Sequence, residues 1–326
     1  MKKIYFLINP KARNGYCLKI WERVELQLTE SKIVYQSFFT EYQGHANIIA
    51  THIASSTSEE IVIIAVGGDG TMHEVVNGTV QYNNVTLGFI PGGSGNDFSR
   101  GFLIPVDPLE ALKVILRLVK QDADQIDVGK VNMNDHSEHY FINNMGAGFD
   151  ALVSQEVNQS RMKAVLNKLS LGRLIYVYVL LKELFTYNCT TINLSIDGKI
   201  QIYEKTWFVT VSNQPYYGGG MKIAPEAEPD DGHLDITIVH SLSRIKLLFV
   251  FISVFWGKHV LFKEVKSFKG RKISLHSSSP LYVHADGEDI GYTPLNIRIQ
   301  TKKIKVLSSR ENRGEVNLKE RDSNEC

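Results

Sequence analysis

The sequence predicts two domains of different grammar: a doubly wound α/β domain over residues 1–124 and a β-rich, sandwich-like domain over 125–300, followed by a final segment, 301–326. Three observations predict this. Strand and helix signals alternate through the first third, around the run Ile61–Val66 (IVIIAV), whose uninterrupted apolar character suits a parallel strand covered on both faces. From about Gln125 strand candidates follow one another with few helices between them, as antiparallel pairing requires. Two glycine-and-acid loops, VGGDGT and PGGSGND, leave the ends of successive strands in the first domain.

The elements follow in order. Lys3–Ile8 is a β-rich run; Leu18–Leu28 carries Ile20, Trp21, Val24 and Leu28 at helical spacing; Val34–Phe39 is strand-like and His45–Ser55 helical. After Ile61–Val66 come a helix over Thr71–Val80, a strand over Thr86–Ile90 and a helix over Pro108–Lys120. The second domain offers strands at Ile126–Val131, Tyr140–Asn144, Thr191–Ile196, Lys205–Ser212, Leu234–Val239, Lys272–His276, Leu281–His284 and Leu295–Gln300. Two helices interrupt it, Met162–Thr186 and Ser243–Trp256. The second is apolar nearly all round, which favours burial in the core; a face bordering an acyl-chain route is the alternative. The polar tail SRENRGEVNLKERDSNEC lacks apolar periodicity and reads as disordered.

Composition removes several function classes. Lys and Arg number 36 against 35 Asp and Glu, so the net charge of +1 gives no bulk reason to expect nucleic acid. The basic run Lys263, Lys266, Lys269, Arg271 and Lys272 reads as a solvated face. Three scattered cysteines make neither a disulfide framework nor a zinc knuckle and fit a reducing cytoplasm. The apolar part of the N-terminus is shorter than the ~7 residues of a signal-peptide core and reads as a first strand. The longest apolar run, Leu247–Trp256, falls well short of the ~18–20 residues of a membrane span.

In VGGDGT, Gly67, Gly68 and Gly70 let backbone come close to a ligand at a strand's carboxyl end. Thr71 and Glu74 form a T-x-x-E capping box, which starts a helix whose N-terminus favours anions. Asp69 is out of place beside a phosphate unless Mg²⁺ lies between them; the bland alternative is a tight turn with Asp69 hydrogen-bonded inside it. Gly92, Gly93, Gly95 and Asp97 repeat the combination after the next strand. Asn9, in NPKARNG, could reach the same crevice, whereas Lys11 and Arg13 read as solvated surface.

These motifs resemble the diacylglycerol kinase catalytic-domain family, in particular the soluble bacterial lipid kinases, which are also similar to sphingosine kinases. The likeness runs over nearly the whole chain: NPKARNG, TEYQGHA, VGGDGTMHEVVNG, IPGGSGNDFSRG, NNMGAGFDA, YYGGGMKIAPEAEPDDGHLDI and HADGE. It implies an N-terminal nucleotide domain, a β-rich second domain and an ATP site in the cleft between them. It implies nucleotide contacts from Asn9, Thr40, Gly67, Gly68, Asp69, Gly70, Thr71 and Ser94, with Asp69 and Asp97 near Mg²⁺ and the phosphates. Glu288 matches the general base. Asp231 would hold a second, structural Mg²⁺ by its side chain, with Glu228 and His233 adding backbone carbonyls. The implied activity is phosphorylation of a membrane lipid, diacylglycerol or a related lipid alcohol, by a cytoplasmic protein at the inner membrane surface. A homodimer stays open beside ATP and the lipid as a partner. Arg13 stands where the family often has glycine, and Ser94 where threonine is usual.

Read without the resemblance, Asp286-Gly287 and Asp230-Asp231-Gly232 are turns, and YYGGGMK is a mobile loop where the resemblance implies a substrate-proximal one. GAGFDA matches a dinucleotide fingerprint but lacks the following strand and acid, so a dehydrogenase is the weakest reading. An NAD kinase-like or phosphofructokinase-like enzyme and a non-catalytic nucleotide- or lipid-binding regulator remain as rivals.

Overall fold

The structure, a computed structural model, is described for residues 2–159 and 172–310. It divides into two compact units, one running through Gln125 and taken up again from Ile304, the other Ile126–Lys303.

The first unit contains strands β1 (Lys3–Ile8), β2 (Gln36–Phe39), β3 (Ile61–Gly67) and β4 (Val85–Pro91), all parallel, in the order β4-β3-β1-β2. Helices α1 (Tyr16–Glu30), α2 (His45–Ser55), α3 (Asp69–Thr79), α4 (Asp97–Gly101) and α5 (Pro108–Leu118) connect or follow them. β3 and β4 are buried at every residue, which is why they read as unbroken apolar runs. Phe6, Ile8, Val62, Ile64 and Val66 lie on the face covered by Trp21 and Val24 of α1 and Leu112 and Ile115 of α5.

The second unit is antiparallel. It begins in β5 (Asp124–Met133) and β6 (Glu138–Phe141), continues through β7 (Asn144–Gly148), then α6 (Phe149–Gln159) and α7 (Gly172–Thr186). β8 (Thr190–Ile196) and β9 (Lys199–Ser212) follow, then the short pair β10 (Tyr216–Tyr217) and β11 (Met221–Lys222), β12 (Leu234–His240), α8 (Arg244–Val254) and a 3₁₀ turn, Lys258–Leu261. β13 (Val265–Gly270), β14 (Lys272–Ser277), β15 (Tyr282–Ala285), β16 (Glu288–Tyr292) and β17 (Leu295–Val306) complete it. β9 pairs with β8 over its first half and with β7 and β12 over its second, changing partners at a bulge where Lys205 is left-handed (φ 49°). One strand thus serves both layers of a sandwich. One core cluster contains Met145, Leu194, Val211, Ile236 and Leu275; a second puts Phe149, Trp207 and Val250 under α6, α7 and α8.

Several expectations are corrected. Thr71 and Glu74 do not form a capping box: α3 already starts at Asp69 behind Gly68, and Glu74 accepts from Gly44 N (2.8 Å) and Ala46 N (2.9 Å), so it caps α2 instead. Tyr140–Asn144 is two strands, β6 and β7, and the glycines of GAGFDA lie within β7 and at its end. The basic run from Lys263 includes an unexpected strand, β13, with its cations exposed as expected. The last strand continues past Gln300, so that Lys305 and Val306 pair in parallel with Thr86 and Leu87 of the first unit's sheet. The first part of the expected helix Met162–Thr186 and nearly all of the tail lie outside the described residues. No helix among those described is long and apolar enough to cross a membrane.

Candidate active site

Every residue expected at the nucleotide lies at or just beyond the carboxyl edge of the parallel sheet, where ligands of such sheets bind. Asn9 follows β1, Thr40 follows β2, Gly67 to Thr71 lead from β3 into α3, and Ser94 and Asp97 follow β4. Asn9 N donates to Val66 O and Thr40 N to Ile8 O, each at 2.9 Å, so both loops stay in register with the sheet as they leave it. Asn9 Nδ2 donates to Thr71 Oγ1 at 3.2 Å and ties the first loop to the third.

The two glycine loops touch through backbone. Gly92 N donates to Gly67 O at 2.7 Å, and a Cβ on Gly93 would lie 2.4 Å from Gly68 Cα, closer than side chains can approach. A Cβ on Gly67 would meet the Thr71 hydroxyl at 2.4 Å. Asp69 closes the contact from the other side: its Oδ1 accepts Phe98 N at 2.9 Å. Asp97, one residue earlier and buried, has its Oδ1 3.0 Å from Arg100 Nη1. Asn96 is left-handed (φ 54°) and its side-chain amide bonds Gly93 N and Gly93 O, each at 3.1 Å, which leaves Ser94 exposed at the loop tip.

Asp69 and Asp97 offer hard carboxylate oxygens, and Mg²⁺ on phosphates needs only one or two of these from the protein. That donor chemistry fits, with phosphate and water supplying the remaining ligands; no cluster of three His, Cys, Asp or Glu ligands occurs among the described residues. Arg13 is also left-handed (φ 49°), the conformation in which glycine is at ease, and its guanidinium lies over the Tyr16 ring at 4.8 Å.

In the second unit, Glu288 is half-buried at the start of β16. Asp286 (φ 50°) and Gly287 (φ 89°) precede it in the two-residue turn that joins β15 to β16, as the Asp-Gly pair predicts. Asp286 does more than turn the chain. Its carboxylate accepts from Ile142 N (3.1 Å), Asn143 N (2.8 Å) and Asn144 N (3.1 Å), clamping the hairpin onto the β6–β7 connection. A second tether runs through His284, which is buried: Gly287 N donates to its Nδ1 at 3.2 Å, so Nε2 carries the proton. Nε2 donates to the Tyr217 hydroxyl at 3.0 Å, which donates to Asp150 Oδ2 at 3.3 Å. Gly146 leaves room for this chain, because a Cβ there would lie 2.1 Å from Asp150 Oδ2. The glycine that suggested a dinucleotide fingerprint thus makes space for a histidine and an acid. Tyr217 belongs to the β10–β11 hairpin, closed by Gly218, Gly219 and Gly220, all left-handed, so YYGGGMK is drawn to the turn that carries Glu288.

Around Asp231 the carboxylate is engaged by groups of its own unit. Its Oδ1 accepts His233 N at 2.8 Å and its Oδ2 accepts Lys269 Nζ at 2.7 Å, while its own N–H reaches Glu228 O at 3.4 Å. Lys269 Nζ also lies 3.5 Å from Asp235 Oδ2. An ammonium thus sits against the carboxylate expected to hold a structural ion, and a Mg²⁺ bound there would have to displace Lys269 or share the carboxylate with it. Asp127, fully buried, accepts Gly232 N (2.8 Å) and Lys302 N (2.7 Å) and fixes the same turn from below; its burial raises its pKa.

Two family profiles match the chain: "Diacylglycerol kinase catalytic domain" over residues 3–131 and "YegS C-terminal NAD kinase beta sandwich-like domain" over 143–308. A Bacillus subtilis (strain 168) protein named "Putative lipid kinase YtlR" is 34% identical over 310 residues, covering 94% of this chain and 99% of its own length. A diacylglycerol kinase of Mycobacterium tuberculosis (strain ATCC 25618 / H37Rv) is 29% identical, covering 94% and 96%. The crystal structure of a diacylglycerol kinase from Bacillus anthracis str. Sterne superposes with a TM-score of 0.68 at 23% identity, covering 95% and 98%, and shows the same fold. The chain belongs to the diacylglycerol kinase catalytic-domain family.

In this member of a lipid-kinase family the residues expected at the nucleotide stand at the ends of the parallel strands, and sequence reasoning missed contacts of several others. Asp286 and His284 stand inside the quoted HADGE, but their partners lie far off in sequence, at residues 142–144, 150 and 217. Glu74 was assigned to the wrong helix because the capping box is a local pattern and its true partners are across the α2–α3 packing.

Proposed function

We propose that this family member transfers the γ-phosphoryl group of ATP to the hydroxyl of a membrane lipid, diacylglycerol or a related lipid alcohol, at the cytoplasmic bilayer surface. The observation that carries the reading is the pair of interlocked glycine loops at the carboxyl edge of the parallel sheet, with Asp69 and Asp97 in their first helical turns. The names of the relatives support the acceptor class.

In this reading the N–H groups around Gly67 to Thr71, and the positive end of α3, face the phosphates. Asn9 and Thr40 complete the wall at the ends of β1 and β2, and the Ser94 hydroxyl contacts phosphate from the loop tip. Asp69 and Asp97 would hold Mg²⁺, which when bound would supply positive charge against the developing negative charge on the transferred group. Glu288 accepts the proton of the acceptor hydroxyl as that oxygen attacks phosphorus and ADP leaves. Its hairpin is fixed twice, at Asp286 and through His284 at Gly287, so the base comes to the acceptor on a rigid support.

The test offers purified protein and Mg·ATP diacylglycerol in mixed micelles, other lipid alcohols, NAD and fructose 6-phosphate in parallel. Labelled lipid is expected, with Glu288→Gln losing about 10²-fold or more in turnover while ATP affinity is kept. Asp69→Asn is expected to weaken Mg²⁺ and ATP together. Phosphorylation of NAD or the sugar phosphate alone would replace the reading with a polar-substrate kinase. ATP binding without turnover on any acceptor would make the chain a regulator.

A further inference from the structure

Helix α8 does not bury its apolar circumference. Leu247, Val250 and Val254 are buried, but Ile245 (70% exposed), Phe249 (63%), Ile252 (55%) and Trp256 (67%) form an outward stripe at i, i+4, i+7 and i+11. The following 3₁₀ turn adds Leu261, 80% exposed. So many large side chains in water on one element mark an interaction surface. Within the segment itself the charges have one sign: Ser243 to Lys263 contains Arg244, Lys246, Lys258 and Lys263 and no acidic residue. Lys246 is paired with Glu264 at 2.6 Å, while Arg244, Lys258, Lys263 and the neighbouring Lys266 are exposed.

We propose that this face docks on an anionic bilayer, with α8 lying along the interface, its stripe at the acyl boundary and the surrounding cations at the headgroups. Charge complementarity selects this occupant. A second copy packed on the same face would oppose cations to cations. Residues 311–326 offer only Val316 and Leu318 as aliphatic cover, and cover by residues 160–171, which include Met162, Val165, Leu166, Leu169 and Leu171, is an outcome that the test below detects. The placement gives a physical reason for a helix that is core-like in composition yet half exposed, and it rests on the lipid-substrate reading only for its purpose.

The chain carries its own reporter. Of its three tryptophans, Trp21 and Trp207 are each 2% exposed, so a change in emission on adding vesicles reads Trp256. The full chain is mixed, without ATP or diacylglycerol, with vesicles of equal parts phosphatidylglycerol and phosphatidylcholine, or of phosphatidylcholine alone. Blue-shifted emission and co-sedimentation are expected with the anionic vesicles, falling with salt. Trp256→Phe is expected to abolish the shift, and Phe249→Asp to lower the partition about tenfold. Lys258→Glu with Lys263→Glu is expected to cost about tenfold on anionic vesicles only. Turnover on a short-chain, water-soluble diacylglycerol should stay within about twofold of wild type in all three variants, since none is part of the nucleotide or base machinery. The proposal is overturned if Phe249→Asp sediments like wild type. It is also overturned if Trp256 emission is already blue and indifferent to vesicles, which would mean that another part of the chain or a second copy covers the face. Vesicle binding with no lipid turnover in the wild type would instead sink the kinase reading and leave the docking face standing.

Discussion

Three amide donors converge on Asp286, and single side chains of this kind decide how firmly the turn before Glu288 is held. Hydrogen bonds to a charged acceptor contribute about 1.5–3 kcal/mol each, non-additively. Asp286→Ala leaves the amides of residues 142–144 without this acceptor and is expected to cost about 2–4 kcal/mol, with turnover falling alongside. Thermal melts with kinetics on the same sample check it; unchanged stability would show the clamp to be ornamental. His259 makes a different point. It is fully buried and donates from Nε2 to Ile223 O at 3.0 Å, and desolvation lowers its pKa below the ordinary 6.5. The folded chain therefore keeps His259 neutral where the unfolded chain protonates it, so stability is complete above about 6.5 and lost as pH falls below it. His259→Gln is expected to flatten denaturation midpoints between pH 7 and pH 5. An unchanged slope would assign the acid sensitivity elsewhere.

Elements depend on where side chains are forbidden as much as on where they pack. Gly93 and Gly287 separate two reasons for glycine. Gly287 is left-handed with nothing within 4 Å of a Cβ, so Gly287→Ala meets only backbone strain of about 1 kcal/mol. Gly93 has ordinary φ, but its Cβ would collide with the Gly68 backbone, so Gly93→Ala must part the two glycine loops. The expected outcome is a larger loss of melting temperature in Gly93→Ala and a loss of ATP-analogue affinity that Gly287→Ala does not share. Calorimetric titration of both variants reads the difference, and equal affinities would break the link between loop contact and nucleotide binding. Helix α8 shows the limit of composition: it has a core-like sequence, yet the fold covers only one side of it.

For the whole molecule, the question at Asp231 is whether the second unit needs a divalent ion. The resemblance implies one, whereas Lys269 supplies an ammonium at 2.7 Å. Without nucleotide, raising Mg²⁺ is expected to leave the melting temperatures of wild type and Asp231→Asn equally unmoved. Lys269→Met is expected to lower stability by removing the cation between Asp231 and Asp235. A Mg²⁺-dependent rise confined to chains that keep Asp231 would restore the metal. The final strand has a comparable global role. β17 belongs to the antiparallel unit through Gln300, yet Val306 pairs beside Leu87 and Leu307 enters the core under α1 and α5. The first unit is therefore completed by residues that come last.

The alternation of strand and helix, the parallel character of Ile61–Val66 and the Asp-Gly hairpin were legible because each is a local pattern: unbroken burial, periodicity and turn chemistry act within a few residues. The glycine loops were legible too, and their order carried the family. The sequence could not say what Asp69 touches, because Phe98 is brought to it by the pairing of β3 with β4. It could not separate an ammonium from a metal at Asp231, since Lys269 arrives on β13, a strand that local composition hid among surface cations. Nor could it divide α8 into a buried and an exposed side, because apolar residues from Ile245 to Val254 occur nearly all round it. Local patterns fixed which elements form, and tertiary packing decided which distant donor, cation or solvent each side chain meets.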